Sequence, residues 1–347
     1  MEFTGWQRRE KYSTGRIRFA DRAATVIMGA TSCGATAMTA RRRKLQTLIG
    51  FGVAAVSFGM LGAGETGPLQ EIAEGVYVRP GTTGLLFQGQ DLANLGVVIG
   101  DTCTAVIDTG GSGAEGLALQ DAIRRVTDVP VCLVINTHVH PDHMFGNPAF
   151  QRDEVTFAGH RNLPGAAALR AETYLQRAAE AATDPGTGQR IVLPERTIGE
   201  TVQIDLGGRK LTVRAHATAH TDNDLSVLDE RPGTLFAGDL VFLEHLPVLD
   251  GSINGWIGEL ERLMREDFER VVPGHGPARI DWPQGGTHTI EYLRDLREKT
   301  RSWIARGADL RSAQEGIEAG VPERWQLIEE YHKRNVAAAF AELEWED

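Results

Sequence analysis

The stretch Thr137-His-Val-His-Pro-Asp-His143 decides how this 347-residue chain is interpreted, because it places three histidines and an aspartate within six positions. Its pattern is H-x-H-x-D-H. The apolar run Val-Cys-Leu-Val-Ile-Asn, residues 131–136, comes directly before it and is typical of a buried strand. We therefore expect the cluster at the C-terminal end of a strand, where open α/β sheets place their functional sites.

The spacing of this cluster indicates a metal site. His138 and His140 are two positions apart, so their imidazoles face the same way in an extended segment. Pro141 bends the chain and can direct Asp142 and His143 toward a neighbouring point. Imidazole and carboxylate suit zinc, and also iron or manganese. The alternative is a polar loop with scattered histidines, and the tight packing of four such groups argues against it.

Three more groups of this chemistry follow predicted strands, and each lies beside glycine or a turn. They are His220, Asp239 after Gly238, and His275 between two glycines. Glycine lets the backbone bring such a side chain close to a buried ion.

The charge distribution argues against a nucleic-acid groove as the main function. Residues 1–63 carry ten Lys/Arg against three Asp/Glu, whereas the remainder carries 26 against 44, so the body of the chain is acidic. The cysteines Cys33, Cys103 and Cys132 lack C-x-x-C spacing, so neither a zinc finger nor a disulfide framework is indicated. Cys103 and Cys132 could be close in register, but we expect them to be buried apolar residues rather than a disulfide, since neighbouring parallel strands are poorly suited to disulfides.

The N-terminal region predicts export. Three arginines and Lys44 precede an apolar stretch of about 15 residues that ends in small residues. Residues 38–64 are thus interpreted as a secretory signal, with an inner-membrane anchor as the alternative and twin-arginine export left open beside the general route. Residues 1–37 are expected to be disordered, or Met38 to be the true start. Export implies a periplasmic protein.

Alternating strand and helix patterns predict an α/β fold over residues 68–285. The strands and helices form two similar halves, about 68–185 and 190–347, which indicates an αββα sandwich of two mixed sheets flanked by helices. Residues 75–81 and 83–87 are predicted to form an opening hairpin. Residues 286–347 are expected to be C-terminal helices packed on the same domain.

Taken together, these motifs resemble the metallo-β-lactamase-fold hydrolases: H-x-H-x-D-H, then a histidine, then Gly-Asp, then Pro-Gly-His-Gly, over about residues 70–280. The resemblance implies two zinc ions, with iron or manganese as alternatives. It implies one metal on His138, His140 and His220, a second on Asp142, His143 and His275, and Asp239 between them. Asp239 stands where common β-lactamases have cysteine, which is similar to the glyoxalase-II and lactonase branches.

Several further stretches resemble the periplasmic quinoprotein-relay-system zinc metallohydrolases, among them residues 78–81, 107–111, 219–225 and 245–251. This implies a hydrolase that attacks an ester, thioester, lactone or amide in a small molecule, with Asp142 as the catalytic residue that orients or deprotonates the nucleophile. A periplasmic quinoprotein dehydrogenase system is the implied partner. The alternatives are a mononuclear-iron persulfide dioxygenase and a non-catalytic partner of an exported redox system. The oligomeric state is left open.

For the remaining histidines and aspartates the sequence predicts less specific roles. His216 competes with His220 as a ligand, and the family pattern favours His220. Asp108 is a candidate partner for a ligand histidine, and Asp222 and Asp224 are expected to shape the loop or orient His220. His245 is a candidate for the substrate pocket, whereas His160, His288 and His332 are expected outside the ligand set, either at the surface or next to a ligand residue.

Overall fold

The computed structural model describes residues 67–88, 91–181 and 189–346. The predictions for residues 1–37 and 38–64 fall outside these ranges. Among the helices that lie within them, none has both the length and the apolar character needed to cross a membrane.

The first sheet contains seven strands that lie side by side in sequence order. They are β1 (Gln70–Ala73), β2 (Val76–Arg79), β3 (Leu95–Ile99), β4 (Thr104–Ile107), β5 (Val131–Ile135), β6 (Thr156–His160) and β7 (Arg196–Ile198). Pairing is antiparallel from β1 to β4 and parallel from β4 to β7, so the sheet is mixed. The parallel part brings the C-terminal ends of β4, β5 and β6 to one edge.

The second sheet contains five strands in the order β12-β11-β10-β9-β8. They are β8 (Thr201–Asp205), β9 (Lys210–Ala215), β10 (Leu225–Asp229), β11 (Thr234–Phe242) and β12 (Arg270–His275). Only β11 and β12 pair in parallel. This pairing places the C-terminal half of β11 beside the end of β12.

Within the described ranges, eight α-helices flank the sheets. They are α1 (Gly113–Arg124), α2 (Pro141–Met144), α3 (Asn147–Phe150), α4 (Leu163–Ala181), α5 (Ile253–Leu263), α6 (Thr287–Ala305), α7 (Leu310–Gly316) and α8 (Ile328–Leu343). Helix α5 begins where the Ser252 side chain accepts a hydrogen bond from the backbone N–H of Gly255. Its apolar residues recur at helical spacing (Trp256, Leu260, Leu263) and are buried, so this face packs against the second sheet.

The core has an inner layer and two outer layers because strand side chains alternate between faces. In β3, Val98 packs between the two sheets, whereas its neighbour Val97 packs outward against α1. The outer face of the second sheet packs with residues of α5, α6 and α8. Each fully buried valine or leucine stabilises such a core by about 1.5–3 kcal/mol. The predicted αββα sandwich of two mixed sheets is confirmed.

Arg209 ties the two sheets together. Its guanidinium donates to the carbonyl oxygens of Ile99 and Glu74, both at 2.9 Å, beside the first sheet. It also donates from Nε to Asp229 Oδ2 at 2.9 Å, at the end of β10. Both charged side chains are almost fully buried.

Two predictions about this region are wrong. Residues 83–87 form no strand, and β2 instead pairs with β1. Cys103 and Cys132 form a disulfide, with their Cα atoms 5.5 Å apart. The register between the parallel strands β4 and β5 shifts between Thr104 and Ala105, and this irregularity brings the two cysteines within bonding reach.

Candidate metal centre

Seven predicted ligand side chains meet at one end of the sandwich. After β5 the chain presents His138 and His140, and α2 begins at once with Pro141 and carries Asp142 and His143. The other three come from the second sheet: His220 from the loop after β9, Asp239 from within β11 and His275 from the end of β12. All seven are buried, so the first sheet supplies four groups and the second sheet three.

The first group consists of His138, His140, His220 and Asp239, whose ligand atoms lie within 4.8 Å of one another. Nδ1 of His140 is 3.1 Å from Nε2 of His220. Asp239 Oδ2 is 3.6 Å from Nε2 of His138 and 3.4 Å from Nε2 of His220. Three ring nitrogens and a carboxylate oxygen thus converge on one point.

The second group consists of Asp142, His143 and His275. Asp142 Oδ2 is 3.7 Å from Nε2 of His143 and 3.4 Å from Nε2 of His275. Asp239 reaches this group as well, because its Oδ1 is 3.2 Å from His143 Nε2 and its Oδ2 is 3.4 Å from His275 Nε2. Asp239 therefore lies between the two groups.

The polar atoms at the centre fit metal ions. Among the described residues, Nε2 of His138, Nε2 of His143 and Oδ1 of Asp239 are buried and have no hydrogen-bond partner. An unsatisfied buried polar atom costs about 1–3 kcal/mol. Cations bound by these nitrogen and oxygen atoms would remove that cost, and such ligands are those that zinc prefers.

The outward nitrogen of each histidine is held by a neighbour, which fixes the orientation of the ring. The pairs are His143 Nδ1 with Asp108 Oδ2 at 2.8 Å, His220 Nδ1 with the Val248 carbonyl at 2.6 Å, His275 Nδ1 with the Leu92 carbonyl at 3.1 Å and His138 Nδ1 with Thr137 Oγ1 at 3.0 Å. His140 is held through Nε2 by Asp250 Oδ2 at 3.1 Å, so it presents the opposite nitrogen to the centre.

Asp108 organises the start of the ligand loop. It accepts hydrogen bonds from the backbone N–H and the hydroxyl of Thr137, at 2.8 and 2.7 Å, in addition to its contact with His143. Its φ of 59° lies in the left-handed region, which a non-glycine residue adopts only when its surroundings stabilise it. The prediction that Asp108 is the partner of a ligand histidine is confirmed.

The electrostatics of the cluster favour bound cations. Burial lowers the pKa of His138 well below its usual value and the pKa of His220 to about 3, so both rings are neutral and can bind a metal. Burial also opposes charge on His143, but the carboxylates of Asp239, Asp108 and Asp142 raise its pKa well above the usual value. A site that draws a proton to His143 in this way also attracts a metal cation.

Two glycines allow Asp239 to reach its position. A Cβ on Gly274 would overlap Oδ1 of Asp239 and the backbone of Gly238. Gly238 has a φ of +53°, and a Cβ there would lie 2.9 Å from Cβ of Thr137. The two strand ends therefore approach closely only because these positions lack side chains.

The other polar residues have distinct surroundings. His216 contacts Glu259 at 2.7 Å and Ser226 at 2.8 Å and stays outside both groups. Asp224 accepts hydrogen bonds from Thr221 and shapes the loop, as expected. His220 is oriented by the Val248 carbonyl rather than by Asp222 or Asp224. His160 and His332, though outside the ligand set, are buried.

A cavity of about 480 Å³ opens beside the ligands His140, Asp142, Asp239 and His275. His245 lines it, as predicted. The rest of its lining consists of apolar side chains, two tyrosines, three arginines and one aspartate: Leu86, Phe87, Leu169, Arg170, Tyr174, Arg177, Asp250, Tyr331 and Arg334 are among these residues. Burial raises the pKa of Tyr174 and of Tyr331 to about 12, so both hydroxyls stay protonated at neutral pH.

Sequence reasoning did not assign roles to Asp250 and Arg170. Asp250 Oδ2 accepts a hydrogen bond from Arg170 Nη2 at 3.0 Å and thereby joins the cavity wall to His140. No motif spacing indicates this contact, since Asp250 is 110 positions from His140. In the sequence, Asp250 was marked only by its place in residues 245–251, a stretch that resembles a known family.

All seven predicted ligand side chains lie within the match to one protein family. The sequence model of the metallo-beta-lactamase superfamily matches residues 89–275, which is more than half of the chain. Comparison with curated protein sequences gives no match.

Solved structures share the fold. A metallo-beta-lactamase from Pontibacter korlensis aligns with a TM-score of 0.55 at 22% identity, covering 65% of this chain and 98% of that one. The protein TMB-1 aligns with a TM-score of 0.52 at 20% identity, over 65% of this chain and 96% of that one. The sec-alkylsulfatase Pisa1 from Pseudomonas sp. aligns with a TM-score of 0.61 at 15% identity, over 79% of this chain, which spans about half (49%) of Pisa1.

Proposed function

This chain belongs to the metallo-β-lactamase superfamily, and we propose that it is a dizinc hydrolase that cleaves an ester, thioester, lactone or amide in a small molecule. The observation that carries the proposal is the position of Asp239, whose two carboxylate oxygens reach both groups of buried histidines. The unsatisfied nitrogens of His138 and His143 belong to different groups, which favours two ions over one.

The ligand side chains fall into two sets, one for each ion. One ion would be held by His138, His140 and His220, and the other by Asp142, His143 and His275. Asp239 would bind both ions. Bound zinc lowers the pKa of a coordinated water toward about 7 and polarises a carbonyl.

Asp142 is the candidate catalytic residue. It lines the cavity and lies 3.4 Å from His275 Nε2, so its carboxylate can orient the attacking nucleophile and accept its proton at the cavity floor. The neutral hydroxyls of Tyr174 and Tyr331 line the same cavity and can donate hydrogen bonds to a bound carbonyl.

We also propose that the protein acts in the periplasm. The Cys103–Cys132 disulfide supports this, because disulfides persist in oxidising compartments. Association with a quinoprotein dehydrogenase system stays a prediction that rests on the sequence resemblance.

Metal analysis together with a substrate screen tests the hydrolase proposal. We expect about two zinc ions per chain and turnover of at least one ester, thioester, lactone or amide that is lost in Asp142→Ala. Asp222→Ala is the matched control, since Asp222 lies in a neighbouring loop and accepts a hydrogen bond from Asn223. A single iron with oxygen uptake on glutathione persulfide would instead support a dioxygenase. Two zinc ions without any turnover would support a non-catalytic partner.

A further inference from the structure

The cavity beside the metal centre has a cationic wall. Apart from the metal ligands Asp142 and Asp239, the charged side chains that line it, among the described residues, are three arginines and Asp250. Arg170 and Arg177 come from α4, whereas Arg334 comes from α8, so two separate elements contribute to the same wall.

Asp250 does not neutralise this wall. Its Oδ2 lies 3.0 Å from Nη2 of Arg170 and its Oδ1 lies 3.7 Å from Nη2 of Arg334. A guanidinium has five N–H donors, so a single carboxylate leaves most donors of the two arginines available. The Arg334 side chain is 54% exposed, which places it where an entering molecule can meet it.

Part of the cavity lining is apolar. Leu86, Phe87 and Leu169 line it, and Leu169 is 86% exposed although it is a large aliphatic residue. These three side chains line the same cavity as the arginines, so an apolar group bound there can pack against them. A molecule that fits both parts carries an anionic end and a short apolar body.

We propose that the substrate carries an oxyanion group, a carboxylate or a sulfate ester, which Arg334 and Arg170 bind while the apolar chain lies against Leu169 and the scissile carbonyl faces the metal ligands. This inference rests on the proposed hydrolase function and deepens it. Guanidinium groups pair with such oxyanions through two parallel hydrogen bonds, which orients the molecule as well as holding it.

Arg334 is the position at which to test the proposal, because Arg170 is tied through Asp250 to His140 and its loss would disturb the metal site. Binding of butyrate and of propane-1-sulfonate to the zinc-loaded full chain is measured by calorimetry, with 1-butanol as the neutral comparison. We expect at least one of the two anions to bind the wild-type protein more tightly than 1-butanol. Arg334→Gln should weaken that binding about 10- to 100-fold, the range of a hydrogen bond to a charged group.

Lys333→Gln is the matched control, since it removes the same charge from the adjacent exposed position of α8, outside the cavity. It should leave binding unchanged. A preference for butyrate identifies a carboxylate, and a preference for the sulfonate identifies a sulfate group. Equal binding in Arg334→Gln and the wild type, or no anion binding at all, overturns the inference.

Kinetics separate this inference from the hydrolase proposal. The 4-nitrophenyl esters of glutaric acid (mono-ester) and of valeric acid have acyl chains of equal length and differ in the terminal carboxylate. We expect the kcat/KM ratio of the charged to the uncharged ester to exceed about 10 in the wild type and to fall toward 1 in Arg334→Gln. Turnover of both esters with a ratio of 1 overturns the anion site and leaves the hydrolase intact. Lack of turnover of either ester counts against esterase activity, and the calorimetric result still decides the anion site.

Discussion

Asp250 lies 3.1 Å from Nε2 of His140, although the two residues are 110 positions apart. A carboxylate only accepts hydrogen bonds, so Nε2 carries the proton and Nδ1 is left with a free lone pair that faces His220 and the metal centre. Burial raises the pKa of Asp250, yet the hydrogen bond from His140 and the charges of His140 and Arg170 bring it well below its usual value. Asp250 thus selects the tautomer of a ligand histidine from outside the ligand set.

Replacement of Asp250 by alanine should therefore weaken metal binding. Without the carboxylate, the His140 ring can rotate or adopt the other tautomer, and loss of such a partner typically costs about 10- to 100-fold in metal affinity. Zinc affinity is measured by competition with a chelator. Asp222→Ala is the control, and equal zinc affinity in the wild type and Asp250→Ala would show that Asp250 has no positioning role.

Gly274→Ala should disrupt the metal centre through a steric effect. The added Cβ would overlap Asp239 Oδ1 and the Gly238 backbone, so Asp239 must move away from the ligand histidines. We expect a loss of about 1–3 kcal/mol in the free energy of unfolding and fewer bound metal ions. Urea unfolding and metal analysis measure the two effects.

Gly258→Ala is the control for that substitution. Gly258 lies within α5, and nothing within 4 Å would meet its Cβ. Alanine there should stabilise the protein by about 0.5–1 kcal/mol, because glycine is the poorer helix former. A Gly274→Ala protein that is as stable and as metal-rich as the wild type would contradict the close approach of β11 and β12.

Arg209→Met should destabilise the sandwich. It removes the guanidinium that joins the carbonyls of Ile99 and Glu74 to the second sheet and leaves the Asp229 carboxylate buried without its partner. Breaking a buried pair in this way costs about 3–5 kcal/mol.

The comparison is with Arg294→Met, which removes the exposed pair of Arg294 with Glu261. An exposed ion pair contributes about 0–1 kcal/mol, so this variant should unfold almost as the wild type does. Similar urea midpoints for the two variants would show that Arg209 does not hold the sheets together.

The contacts of Glu259 predict that the stability of the folded protein decreases at acid pH. Burial opposes its charge, but hydrogen bonds from His216 and Arg262 lower the pKa of Glu259 from 4.5 to about 2. A carboxylate with a lowered pKa in the folded state stabilises the protein above pH 4.5, and this contribution is lost as the pH falls toward 2. Glu259→Gln should therefore be less stable than the wild type at pH 6, and the difference should shrink as the pH is lowered to 3.

Thermal unfolding at several pH values measures this difference. Glu261→Gln on the same helix is the control, since its pair with Arg294 is exposed to solvent and should give a smaller pH dependence. A gap between wild type and Glu259→Gln that is constant from pH 6 to 3 would contradict the lowered pKa.

Much of the fold could be predicted from the sequence because it depends on local patterns. The apolar run of residues 131–136 predicted the strand that precedes the ligand cluster, and β5 covers Val131–Ile135. The disulfide could not be predicted in this way, since it depends on a register shift between β4 and β5 that no single segment encodes.

The sequence by itself determined the chemistry of the centre: the H-x-H-x-D-H motif and the strand-end positions of His220, Asp239 and His275 identified the candidate donors, and the family resemblance implied that they would meet. Only the tertiary structure decided how they meet. The choice of nitrogen in His140 through Asp250 and the cationic wall of Arg170 and Arg334 both join residues from different elements. Periodicity and spacing describe neighbours along the chain, whereas these contacts depend on how two sheets and two distant helices pack against each other.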